Sequence, residues 1–158
     1  MPGFPPYLIE QGIRLSAASA EMTLKSHFDK AFAGVLLLAC FCVPARTGAE
    51  WLRAIGVGFL VGTATAAVVV GLTIAAGAVR YDPKWPSVAP AWMASNLVLT
   101  CIFEEALFRG VIQDRLARQL AGRRLRVWLP LAAASVLFGL AHAAGGPVLI
   151  VVAAVAGV

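Results

Sequence analysis

Charge is what this sequence has least of. Asp, Glu, Lys and Arg make up 13% of its residues and hydrophobic residues 60%, whereas a soluble domain carries about a quarter charged residues and about half apolar ones. That shortage excludes an ordinary soluble domain and implies a membrane protein. Acidic residues are scarcer than basic ones, 8 against 13. The basic ones are unevenly placed: Arg109, Arg115, Arg118, Arg123, Arg124 and Arg126 crowd one short stretch, while the long apolar stretches carry almost none. The net charge of +5 therefore reads as topology and not as nucleic-acid binding. Cysteine supplies no framework either. Cys40, Cys42 and Cys101 are odd in number, sit in apolar segments and lack metal-ligand spacing, so they read as buried thiols.

The charges divide the chain into intervals that can be set against the roughly 20 apolar residues a bilayer crossing needs. Residues 1–30 are mixed, with "GFPP" and several charges but no basic start and apolar core of a signal peptide. They read as an extramembrane lead-in with some helix near its end. Residues 31–158 form the membrane domain. Ala31 to Ala45 is a short first span. Ala54 to Val79 is long enough beyond doubt, and its Gly56, Gly58, Gly62, Gly71 and Gly77 suit close packing inside a helix bundle. "RYDPKWPSVAP" breaks the helix with three prolines and puts Trp85 near an interface. A third span runs from Ala89 to Phe108, a fourth from Val127 to Ala141 or slightly beyond, and a fifth apolar run begins at Val148. The expected fold class is all-α, a polytopic transmembrane helical bundle of about four spans plus a partial fifth. The last run reaches Val158 after about half a crossing with no polar flank, so the chain is expected to be a truncated piece of a longer reading frame.

Orientation follows from the arginines, which the positive-inside rule places in the cytoplasm. The third span then exits there, the fourth enters there, "RYDPKWP" lies outside, and the N-terminus lies outside if Ala31 to Ala45 crosses. Near the cytoplasmic end of the third span stands "TCIFEEALFRG", Thr100 to Gly110. Charged side chains at membrane depth cost a few kcal/mol even on lenient insertion scales, so they are retained for a task. Successive helical residues are 100° apart, which gives Glu104 and Glu105 different directions, while Glu105 and Arg109 stand at i and i+4 on one face. The economical arrangement is a Glu105–Arg109 ion pair with Glu104 aimed elsewhere, a candidate general base whose pKa burial would raise toward neutrality. If the pair is deeply buried, losing Arg109 strands Glu105 at a cost of about 3 to 5 kcal/mol. The bland alternative is an acidic pair snorkelling to water while Arg109 begins the basic loop.

"SVLFGLAHAAGG" holds the only histidine of the apolar part, His142, with Phe138 one turn earlier on the same face. A lone histidine at a helix end is often a hydrogen-bonded structural residue. The third and fourth spans are antiparallel neighbours, yet straight helices put Glu104 near the cytoplasmic end and His142 deeper. Bringing them together needs a broken or tilted helix, for which Pro130 and Gly139 are the candidate break points.

"EEALFRG" matches the EExxxR motif and "FGLAH" the FxxxH motif of the CPBP family of intramembrane glutamic endopeptidases, which includes the type II CAAX prenyl endopeptidases and bacteriocin-processing or Abi-like immunity proteins. The resemblance covers residues 91–144 and the fifth span. It implies an intramembrane protease of the cell membrane, multi-pass, that cleaves a prenylated protein or leader-type peptide without a cofactor. By the resemblance Glu104 and His142 hold and activate the attacking water, and Glu105 with Arg109 braces the site. The family's later motif, a histidine with a polar residue four positions on that steadies the oxyanion, does not occur before Val158. Loss of oxyanion donors typically costs 10²-fold or more, so the polypeptide as given is expected to be inactive. Its expected partners are the substrate and the lipid bilayer, with no nucleic acid.

Other chemistries fare worse. There is no HExxH for a zinc hydrolase and no Gly-rich loop to cradle phosphate. Ser135 stands seven residues before His142 with no acidic third member. The alternative from a different class is a non-catalytic membrane scaffold or immunity-type protein of the same lineage, or a proton relay built from the same Glu and His.

Overall fold

The computed structural model describes residues 5–17 and 19–158, so the first four residues and Ala18 of the expected lead-in lie outside the described residues. Contacts divide the chain into two compact units, one of Met1–Cys42 with Pro83–Val111 and one of Val43–Asp82 with Ile112–Val158.

The first unit opens with a hairpin and not with coil. Strand β1, Tyr7–Ile13, pairs antiparallel with β2, Met22–Ser26, in a two-stranded sheet. This corrects the all-α expectation: the chain is mostly helical with one small sheet. Sequence periodicity of two explains β2, where Thr23 and Lys25 are exposed and Leu24 and Ser26 buried. In β1 the alternation is hidden by register shifts at Leu8/Glu10 and Glu10/Ile13, and Gly12 takes φ +73 at the second of them. Ile13 and Leu24 bury against Val88, with Ile9 packed beside them. Helix α1, Phe28–Phe41, follows. The lead-in thus has its expected helix near the end, but the helix starts three residues before Ala31 and stops before Ala45.

Helix α3 is one continuous stretch, Ala89–Gln119. Three approaches tie it to the residues before it. Ser26 Oγ lies 3.0 Å from Ser95 Oγ. A Cβ on Gly34 would come within 2.9 Å of the Phe103 backbone, and a Cβ on Gly110 within 2.5 Å of Cys42 Sγ. Residues 26, 34 and 42 therefore meet 95, 103 and 110 in order, and α1 runs in the same direction as α3. Helix α2, Gly48–Ala75, lies between them in the sequence. Gly34→Ala would push its methyl into the Phe103 backbone, which has no flexible end to yield. A loss of about 1 to 3 kcal/mol is expected, read as a lower melting temperature of the purified protein.

In the second unit α2 begins with a capping box. The Glu50 N–H donates to Thr47 Oγ1 (3.2 Å) and the Thr47 N–H to Glu50 Oε2 (3.4 Å). The helix ends where Gly77 takes φ +68 and the Gly77 and Ala78 N–H groups donate back to Ile74 and Thr73, a Schellman stop. The expected span of Ala54 to Val79 is thus shifted toward the N-terminus by its own caps. Nothing lies within 4 Å of a Cβ placed on Gly56, Gly58, Gly62 or Gly71. The expectation that these glycines mediate close packing is corrected; Gly77 serves the turn.

Helices α4, Trp128–Ala141, and α5, Pro147–Ala156, run antiparallel. A Cβ on Gly139 would meet the Ile150 carbonyl oxygen at 2.6 Å, while Ser135 Oγ, buried, lies 2.6 Å from the Gly157 carbonyl. Pro130 and Gly139 do not break α4, which corrects the expected kink. Pro130 is in the first turn, where an absent N–H has no intrahelical partner to lose, and Gly139 marks the close approach of α5.

Helices α2 and α3 are long and apolar enough to cross a membrane, with mean hydropathies of 2.1 and 1.3. None of the α2 window is buried. Bare apolar surface of this extent is not tolerated in water and is hidden by a bilayer. The remaining helices have 14, 14 and 10 residues, about 21 Å or less against a hydrocarbon core of about 30 Å. The structure thus supports two helices of spanning length, not the four full spans expected.

Candidate active site

Glu104, Glu105 and Arg109 all lie on α3 in the first unit, and His142 lies in the second. The expected helix end at Phe108 is corrected, because α3 continues to Gln119. Arg109, Arg115 and Arg118 are accordingly helical, and the true loop is short. Around the motif the helix is not uniform. A four-residue α segment, Ile102–Glu105, sits between two π-helical segments, Asn96–Cys101 and Ala106–Gln113. Wide π turns are uncommon and concentrate at functional sites. Apolar periodicity does not announce them, so they were not legible in the sequence.

Because Glu104 and Glu105 both fall in the α segment, the 100° step between them holds. Glu104 is half-buried and Glu105 exposed. Arg109 Nε lies 3.6 Å from Glu105 Oε2, the ion pair expected from the i, i+4 spacing. Ala106 and Phe108 beside the pair are buried. The Glu105 side chain, however, is 67% exposed, which corrects the deep burial on which a large cost for losing Arg109 depended. Arg109→Ala is expected to change stability by less than about 1 kcal/mol, measurable by thermal denaturation. Gly34 is a contributor that the charge pattern could not reveal. By admitting the Phe103 backbone it sets how α1 lies against the residue preceding Glu104. The signal was there in kind, a small residue in an apolar run, but not the partner.

His142 caps the C-terminal end of α4. Its Nδ1 is 2.8 Å from the Phe138 carbonyl oxygen, and its ring stands 4.7 Å from the Phe138 ring, tilted by 58°. A carbonyl oxygen only accepts, so Nδ1 carries the proton and donates. The neutral ring then has Nε2 as its acceptor. One nitrogen thus anchors the ring to Phe138 and the other is left as an acceptor. Ser135 is already committed to the Leu131 and Gly157 carbonyls. Among the described residues no three His, Cys, Asp or Glu side chains group as metal ligands would.

Residues 84–158 match the family model described as type II CAAX prenyl endopeptidase, Rce1-like. Over these residues the chain is similar to the Rce1-like family. The comparisons with curated proteins and with solved structures found no match. The Rce1-like stretch contains Glu104, Glu105, Arg109 and His142 together, while the hairpin, α1 and α2 precede it. The Rce1-like family is a membrane-embedded protease family, in keeping with the apolar helices of this chain.

Proposed function

We propose that the protein is a multi-pass intramembrane endopeptidase of the cell membrane, with the Arg115–Arg126 segment cytoplasmic, that hydrolyses a peptide bond in a prenylated or leader-type substrate. Glu104 accepts a proton from the attacking water, and His142, through Nε2, orients that water. The hydroxide adds to the peptide carbonyl, and the proton passes to the departing amine. Glu105 and Arg109 hold the helical turn that presents Glu104.

The observation that supports this reading is the 2.8 Å contact of His142 Nδ1 with the Phe138 carbonyl oxygen, which makes Nδ1 the donor and leaves Nε2 as the acceptor.

His142→Asn tests it. The Asn amide keeps a donor for the Phe138 carbonyl but has no second ring nitrogen. Cleavage of a prenylated or leader-type peptide by the product of the native gene should fall by about 10²- to 10⁴-fold with the melting temperature unchanged. Near-normal turnover in His142→Asn would reject the assignment.

A further inference from the structure

The arginines that set the topology also build a cavity. Arg118, near the end of α3, and Arg126, just before α4, line one open cavity of about 410 Å³ in the second unit, with Gln113, Ala117, Val127 and Pro130. Its lining is mixed: two guanidinium groups and an amide on one part, apolar side chains on the other. Asp114 holds Arg118 at 2.8 Å, which fixes the direction of that side chain. Yet Asp114 is the only acid among the five arginines of residues 114–126, so the segment keeps a large positive surplus after that pair is counted. Beside it Leu125, Val127 and Trp128 expose 58%, 57% and 68% of their surface. Arginine next to exposed tryptophan and aliphatic side chains is the pattern of the boundary between headgroups and hydrocarbon.

We infer that this cavity seats the headgroup of an anionic phospholipid, its phosphate between Arg118 and Arg126 and the start of its acyl chains over Val127 and Pro130. The chemistry selects the occupant. A phosphate oxygen pair matches the planar fork of a guanidinium, and basic pockets between helices on the cytoplasmic side are suited to anionic headgroups. A free phosphate would satisfy the arginines but leave the apolar part of the cavity wet, whereas a phospholipid covers both. The inference rests on the membrane location and not on proteolysis, so it stands or falls separately from the cleavage assay.

The test is lipid retention by the full chain, extracted from vesicles of phosphatidylcholine with phosphatidylglycerol and weighed intact by native mass spectrometry. Phosphatidylglycerol should be retained in preference to phosphatidylcholine, and adding it should raise the melting temperature in detergent. Arg126→Gln should lower that preference about fivefold, the weight of one basic residue near an anionic surface. Arg123→Gln with Arg124→Gln removes more charge from the same segment but none from the cavity lining, and should leave the preference in place. Equal retention of the two lipids would overturn the proposal, as would an equal loss in the Arg123/Arg124 variant, which would reduce the effect to diffuse charge. Stabilisation by inorganic phosphate equal to that by phosphatidylglycerol would assign the cavity to free phosphate and overturn the lipid.

Discussion

Glu104→Gln should lower peptide cleavage by about 10²- to 10⁴-fold while leaving the fold intact. The carboxamide has the size of the carboxylate and can still hydrogen-bond, but it cannot accept a proton from water. Glu104 is half-buried, and its neighbour Glu105 is exposed and engaged with Arg109, so the two acids are not interchangeable. Glu105→Gln serves as the contrast, because it weakens a partly exposed ion pair worth less than about 1 kcal/mol and leaves the base in place. Both variants are compared on a prenylated or leader-type peptide using the product of the native gene, with melting temperatures alongside. Retention of near-normal turnover by Glu104→Gln would return the acidic pair to the role of interfacial charges and favour a non-catalytic scaffold of the same lineage.

Gly139→Leu should be the most damaging change to the fold of the second unit. Even a methyl at this position would lie 2.6 Å from the Ile150 carbonyl oxygen and 2.8 Å from Ala154 Cβ, and neither backbone nor a Cβ can swing aside. The leucine must force α5 away from α4, at a cost of about 3 kcal/mol. Three further features hang on that contact. The Gly139 carbonyl accepts from the His142 N–H at 3.0 Å, Ser135 reaches the Gly157 carbonyl across the same interface, and His142 is anchored one turn away on Phe138. A sharply lower melting temperature is expected. Gly62→Leu, on a face of α2 with nothing within 4 Å, should be tolerated in the same assay.

The two glycines show where sequence reading stops. In the sequence Gly62 and Gly139 are alike, small residues in apolar runs, and on that ground Gly62 suits close packing and Gly139 a kink. Whether a glycine admits a neighbour depends on which helix lies against it, and no local pattern carries that. Helix ends fail for a related reason. Periodicity of apolar residues stopped the third span at Phe108, but a helix continues as long as its backbone hydrogen bonds do, through the polar face of Gln113 to Gln119. For α2 the signals were present as Thr47, Glu50 and Gly77, and they outweighed the hydropathy boundary.

What the sequence determined by itself was whatever depends on composition or on short spacing. The scarcity of charge implied a membrane, the i, i+4 spacing gave the Glu105–Arg109 pair, and the Glu-Glu, Arg and Phe-His spacings pointed to the lineage that the family match supports. These are legible because a helix fixes neighbours three and four residues apart whatever surrounds it. The tertiary structure alone decided the hairpin in the lead-in, the shared direction of α1 and α3, the π turns flanking Glu104, and the carbonyl-bound nitrogen of His142. Each of these rests on backbone geometry or on a partner distant in the chain, where packing overrides local preference.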